Sequence, residues 1–132
     1  MSVHVQVRVG AERYALPVQH VLEVADLGEV VAVPGAARHV VGMRNLRGRI
    51  LPVVDLAALM GAAAGRGERL VVTESADRLA GLVVDEVAVA DLPEAPQRPD
   101  AEVLAQAVLA DGDLIGVLDV DQLFDQLQRG AA

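Results

Sequence analysis

Residues 48–60 have the sequence GRILPVVDLAALM, and residues 112–124 have the sequence GDLIGVLDVDQLF. Each segment runs from a glycine through aliphatic residues to an aspartate and a leucine, in matching positions, at an offset of 64 residues. Two further blocks, which begin at Arg13 and at Arg78, recur at an offset of 65 residues. Blocks that recur in the same order at nearly one offset predict a single β-rich unit that is present twice.

Short apolar segments, each bounded by Gly, Pro or charged residues, recur along the chain, as in a β-barrel or sandwich. Residues 3–9 alternate valine with polar residues, which is the period of a half-buried strand. Residues 55–60 and 119–128 have the pattern of helices instead. Three prolines in 93–100 predict a loop. The predicted strands lie at 3–9, 14–18, 21–24, 29–33, 40–46, 49–54, 69–74, 79–84, 87–92, 103–110 and 114–118.

The size of the repeated unit has a consequence for its packing. A unit of about 65 residues buries too little apolar surface to be secure alone. Two such units are therefore expected to share apolar surface, and a groove is expected where they meet. Grooves of this kind are common sites for ligands and partner helices.

The composition excludes several classes of function. The formal net charge is −8 and all 11 basic residues are arginine, so we expect no binding to nucleic acid. No apolar run approaches the roughly 18 residues that span a bilayer, and the N-terminus has no signal-peptide pattern. We therefore expect a cytoplasmic chain without membrane insertion. Tyr14 and Phe124 are the only aromatic residues, so any interface must depend on aliphatic packing and arginine.

The residues that usually perform catalysis or bind metals do not form a set in this sequence. The chain has no cysteine, and His4, His20 and His39 lie on separate segments without metal-ligand spacing. Ser2 and Ser75 lie outside any Gly-x-Ser-x-Gly elbow. We therefore predict no enzyme activity, no metal site and no cofactor.

The segment GMRNLRGRILPVVDL at 42–56 resembles the CheW family of chemotaxis scaffold proteins. The family pattern is close to Gly-x-x-Asn-Leu-Arg-Gly-x-Ile-x-Pro-Val-x-Asp-Leu, and the segment meets it throughout. GLVVDEV at 81–87 and the Leu-Asp-Val-x-x-Leu sequence at 118–123 also resemble family signatures. The resemblance extends over essentially the whole chain.

The resemblance implies a mainly β fold of two pseudo-symmetric five-stranded SH3-like β-barrels packed together, with short helices including a C-terminal one. It implies one domain over residues 1–132 made of two intertwined barrel subdomains. We expect the second subdomain to be built mainly from about 68–118, followed by the helix at about 119–128.

The resemblance also implies a function by docking alone. Family members couple chemoreceptors to the histidine kinase CheA in receptor arrays at the cytoplasmic face of the membrane. The implied partners are the cytoplasmic tip of a chemoreceptor, held in a groove between the barrels, and the regulatory domain of CheA, paired through barrel edges.

The resemblance implies that Glu23 matches the family's receptor-facing glutamate and that Arg47 matches the arginine of its Asn-Leu-Arg-Gly signature. Their repeat counterparts are Ala88 and Asp111, so the fold itself does not require these charges. A solvated strand carboxylate and an arginine that braces the groove are the simpler interpretations of the pair. The predicted receptor-binding groove comprises Val21, Glu23, Val24, Val40, Leu46 and Arg47.

Four residues recur in both repeats and are interpreted as structural. Gly48 and Gly112 are predicted at turns that require a positive φ. Asp55 and Asp119 are predicted to be N-caps of the two helices.

Two alternatives to a full coupling protein stay open at the level of sequence. The chain could be a divergent relative of the family that binds the receptor or the kinase but not both. It could also be a small-molecule-binding β-barrel whose groove holds an apolar ligand, which belongs to a different class of function.

Overall fold

A computed structural model describes residues 2–63, 65, 67–93, 104–110 and 112–130. The described residues form a mainly β fold with few helices, as predicted. No described helix has the length and apolarity needed to cross a membrane. The elements are β1 (Ser2–Val9), β2 (Glu12–Pro17), β3 (Val21–Asp26), β4 (Val40–Leu46), β5 (Arg49–Asp55), α1 (Leu56–Met60), β6 (Arg69–Ser75), β7 (Arg78–Val84), β8 (Glu86–Leu92), β9 (Leu104–Ala110), β10 (Asp113–Leu118) and α2 (Val120–Gly130).

The strands form two five-stranded sheets. Sheet 1 has the order β8-β1-β2-β10-β9, and sheet 2 has the order β3-β6-β7-β5-β4. Neighbouring strands are antiparallel except for two parallel pairs, β2 with β10 and β5 with β7. Replacing each strand by the strand five places along the chain converts one order into the other. The internal repeat predicted from the sequence is therefore present in the topology.

The two repeats exchange strands. Sheet 1 combines β1 and β2 of the first repeat with β8, β9 and β10 of the second. Sheet 2 combines the β6–β7 hairpin of the second repeat with three strands of the first. The predicted grouping of 68–118 into one subdomain is therefore wrong for β6 and β7. The parallel pairing of Val53 with Gly81 and of Val54 with Leu82 fixes that hairpin beside β5.

The segment 29–33 is not a strand, contrary to the prediction. It forms one isolated bridge, in which the amides of Val31 and Met43 each donate to the carbonyl of the other at 2.8 Å. Gly42 allows this close approach, because an added Cβ would lie 2.2 Å from the Val31 carbonyl oxygen. The following residues, 33–37, form a loop without strand pairing.

A shared core lies between the two sheets. Val7 and Leu16 of sheet 1 pack in the same buried cluster as Val54 and Leu82 of sheet 2. Both helices add apolar residues to that cluster, and Leu123 of α2 is fully buried in it. A second cluster lies within sheet 1 and a third within sheet 2. Because the sheets exchange strands and share this core, neither repeat contains a complete sheet of its own.

We predict that a fragment of residues 1–65 and a fragment of residues 66–132 each fail to fold as monomers. Each lacks the partner strands of its own sheet and one side of the shared core. Mixing the two fragments should restore the native spectrum, because all ten strands are then present. Amide dispersion in ¹H–¹⁵N spectra, with size-exclusion chromatography at micromolar concentration, checks both statements. A monomeric fragment with a dispersed native-like spectrum would contradict the strand exchange.

Candidate functional site

The turn between β4 and β5 positions the central side chain of the site. Arg47 and Gly48 form this turn with φ values of +51° and +84°. The Gly48 amide donates to the Asn45 side-chain oxygen at 2.8 Å, which closes the turn. Positive φ at both residues is the geometry that two-residue hairpin turns favour, and Arg47, as a non-glycine residue, has a modest strain there.

Arg47 forms an ion pair with Glu23 of β3, in which the guanidinium donates to the Glu23 carboxylate. The side chains are 69% and 30% exposed, respectively. Strands β3 and β4 stand at opposite ends of the order of sheet 2, so the ion pair joins the first strand to the last. An exposed pair of this kind contributes about 0–1 kcal/mol to stability, so its charges are available to a partner at little cost to the fold.

The ion pair lies at the edge of a small cavity of about 220 Å³. Aliphatic side chains make most of its walls, and Arg49 adds a second guanidinium. The cavity can accept an apolar side chain next to one donor and one acceptor group. Its lining residues from the sequence-predicted groove are Glu23, Leu46 and Arg47.

A larger cavity of about 640 Å³ lies between the loop 33–37, strands β4 and β5, and α2. Val40 and Met43 line one side, and Phe124 and Leu127 of α2 line the other. Leu79 lines both cavities, so the two are neighbours on one surface of the protein.

The predicted groove is thus divided in the structure. Glu23, Leu46 and Arg47 lie together at the small cavity, whereas Val40 lies at the large one. Val21 is half-buried and packs against the shared core. Val24 is also half-buried, is opposite Val71 in the sheet register, and lines neither of these cavities.

The residues interpreted as turn and cap residues have the following geometry. Gly48 and Gly112 have φ values of +84° and +83°. Asp55 is the N-cap of α1, and its carboxylate accepts from the Ala57 amide at 3.1 Å. Asp119 precedes α2, and its carboxylate accepts from the Gln122 amide at 3.1 Å.

Except for Val40, sequence reasoning missed the residues of the large cavity. Arg78 lies 5.1 Å from the centre of the Phe124 ring, measured from its guanidinium carbon, and binds Asp125 at 3.0 Å. The apolar stripe of α2 signalled that the helix buries one face, and Phe124 is one of two aromatic residues in the chain. Neither signal shows that this face packs beside the loop 33–37.

Arg8, Glu86 and Tyr14, which line neither cavity, have shifted pKa values. A hydrogen bond and the charge of Glu86 raise the pKa of Arg8, and the same contacts lower the pKa of Glu86. Burial raises the pKa of the Tyr14 phenol. The Arg8–Glu86 pair connects the paired strands β1 and β8 on the surface of sheet 1.

The fold and this surface define a two-sheet β protein with an exposed ion pair beside aliphatic cavities. A family model described as "CheW-like domain" matches residues 4–128. The chain therefore belongs to the CheW-like family.

Its relatives agree with this assignment. The chain is 30% identical to chemotaxis protein CheW of Rhizobium meliloti, over 95% of this chain and 88% of the relative. It is 32% identical to protein FrzA of Myxococcus xanthus, over 94% and 86%. The crystal structure of scaffolding protein TtCheW from Thermoanaerobacter tengcongensis matches with a TM-score of 0.80 at 26% identity, over 89% of this chain and 88% of that one.

We predict that Arg47→Gly leaves the free energy of unfolding within about 1 kcal/mol of the parent. Glycine removes the left-handed penalty of about 1–2 kcal/mol, which offsets the loss of an exposed ion pair. Gly48→Ala should instead destabilise the protein by about 1 kcal/mol or more, because alanine is strained at that φ. Urea denaturation measures both changes. A large loss of stability in Arg47→Gly would show that Arg47 is a structural residue.

Proposed function

We propose that the chain is a non-enzymatic adaptor of a bacterial chemotaxis-type signalling array in the cytoplasm. It couples the cytoplasmic tip of a chemoreceptor to the regulatory domain of the histidine kinase CheA by protein–protein docking. The observation that supports this best is the exposed Glu23–Arg47 ion pair at the edge of an aliphatic cavity. The sequence resemblance supports it too, since Glu23 matches the family's receptor-facing glutamate and Arg47 matches the arginine of its Asn-Leu-Arg-Gly signature.

The second repeat provides an internal comparison for the proposed binding role of Glu23 and Arg47. Ala88, the counterpart of Glu23, is exposed on β8 without a charge, so the strand does not need one there. Asp111, the counterpart of Arg47, lies outside the described residues. The Glu23–Arg47 pair occurs in one repeat, and the fold does not require it. A role in binding therefore explains the pair better than a structural role.

The chemistry of the site suits the tip of a helical receptor hairpin. An aliphatic side chain of the receptor enters the small cavity between Leu46 and Leu79. Arg47 donates to receptor carboxylate or carbonyl oxygens, and Glu23 accepts from receptor donors or orients the guanidinium.

A separate surface is available for the kinase. Leu109 and Leu114 face each other across β9 and β10 and are 68% and 67% exposed. Their counterparts on sheet 2, Asn45 and Ile50, are also a cross-strand pair, and Ile50 is 67% exposed. Exposed apolar residues at hairpin ends favour pairing with another β domain, which is the contact proposed for CheA.

The adaptor transmits a signal only if its partners discriminate between states. A receptor conformation changes kinase activity through this chain when the chain binds the two receptor states, or the two kinase states, with different affinity. Two separate docking surfaces on one rigid core allow both partners to bind together.

We predict that Arg47→Gly and Glu23→Gln each weaken binding to a chemoreceptor-tip fragment by about tenfold or more, because charged hydrogen bonds at an interface centre contribute that much. Binding to the CheA regulatory domain should be unchanged. Separate pull-downs against each partner, quantified by titration, measure this.

Arg69→Gln is the matched control, because Arg69 of β6 forms an exposed ion pair at 2.7 Å with Asp26, which lies on β3 as Glu23 does. It should bind both partners like the parent. If neither receptor nor kinase binds the parent chain, the adaptor proposal fails. If only one binds, the chain is the divergent relative that serves a single partner.

A further inference from the structure

The large cavity has a chemical asymmetry that the docking proposal does not use. Its described walls are apolar except for Arg78 and Gln128. These two side chains lie at one end, since Arg78 donates to the Gln128 side-chain oxygen at 3.4 Å. The cavity volume of about 640 Å³ is within the range of about 300–1,000 Å³ found for small-molecule sites.

The polar end of the cavity is held in place by contacts between the β6–β7 hairpin and α2. Arg78 of β7 binds Asp125 of α2 at 3.0 Å and lies over the Phe124 ring. Ser75 of β6, which is buried, donates to the carboxylate of Asp121. The guanidinium is therefore oriented before any ligand arrives, which reduces the entropy lost on binding.

Arg78 retains a set of hydrogen-bond donors. Its contacts with Asp125 and Gln128 both use Nη1. Within the described part of the chain, its Nε and Nη2 donate to no residue. The edge of a guanidinium formed by Nε and Nη2 matches the two oxygens of a carboxylate.

We propose that this cavity binds a small amphipathic carboxylate. The apolar body lies against Val40, Met43 and Leu127, and the carboxylate binds the Nε–Nη2 edge of Arg78. A single polar end matches a ligand with one charged group, and the volume matches a small molecule. The site is separate from the Glu23–Arg47 pair and does not depend on the adaptor function.

The methionines of the chain provide a direct test with decanoate as the probe. Met43 lines the cavity, whereas Met60 of α1 packs against the shared core elsewhere. Decanoate titrated into full-length protein with ¹³C-labelled methionine methyl groups should shift the Met43 signal saturably and leave the Met60 signal in place. Decanamide should bind at least about tenfold more weakly than decanoate, and decyltrimethylammonium should not bind, because Arg78 recognises a carboxylate.

Three variants distinguish binding of decanoate at this site from nonspecific hydrophobic binding. Arg78→Gln should weaken decanoate binding about tenfold or more. Ala36→Trp, in the exposed loop beside the cavity, should block binding by filling the space while leaving the core intact. Arg13→Gln is the matched control and should bind like the parent, because Arg13 is the repeat counterpart of Arg78 and pairs with Asp113 at 3.2 Å in sheet 1.

Several results would overturn the proposal. One is the absence of a Met43 shift at millimolar decanoate, and another is an unsaturable shift of both methyl signals. If decyltrimethylammonium binds as tightly as decanoate, the guanidinium does not recognise the carboxylate. The same follows if decanoate binds Arg78→Gln as tightly as it binds the parent. A Met43 shift caused by the receptor fragment but not by decanoate would make the cavity a protein-docking surface instead. Receptor binding at Arg47 is measured separately, by the pull-downs of Arg47→Gly, so failure of one proposal is distinguishable from failure of the other.

Discussion

The buried cluster between the two sheets is the constraint on which the rest of the structure depends. It joins Leu16 of sheet 1, Leu82 of sheet 2 and Leu123 of α2 in one core. Because each sheet borrows strands from the other repeat, this core cannot form until both repeats are present. The surface features that we propose for binding are all attached to it, namely the β4–β5 turn, the β9–β10 hairpin and the cavity wall made by α2. One rigid core thus presents several separate surfaces.

Duplication gives the protein two similar sheets, and departures from the symmetry mark the surfaces that differ in use. Sheet 2 has the ion pair between Glu23 and Arg47, whereas Ala88 occupies the matching place on β8. Where sheet 2 has Asn45 opposite Ile50, sheet 1 has Leu109 opposite Leu114. A charged surface on one sheet and an apolar hairpin on the other are suited to partners of different chemistry. Similar scaffolds with unlike surfaces are what an adaptor between two proteins requires.

The sequence predicts the repeat, nearly all the strands and both helices. It does so because the pattern of glycine, aliphatic residues and aspartate is local and is present in both repeats. The resemblance implies intertwined subdomains, but the local pattern does not predict which sheet the β6–β7 hairpin joins, since that pattern is the same for sheet 1 and sheet 2. It also overestimates 29–33, an apolar run that forms only the single bridge between Val31 and Met43, next to Gly42. At the site, family motifs locate Glu23 and Arg47, but their pairing and the cavity beside α2 depend on long-range packing. The stripe on α2 shows that a face is buried, not which loop it lies against.

The central claim is that the receptor contacts the Glu23–Arg47 surface of sheet 2 and no equivalent surface of sheet 1. The most direct measurement is a ¹H–¹⁵N spectral titration of the intact protein with a chemoreceptor-tip fragment. The account predicts that the perturbed amides cluster at 22–24 and 45–49, with β9 and β10 unperturbed. Perturbations centred on β9 and β10, with the turn at Arg47 unchanged, would contradict it.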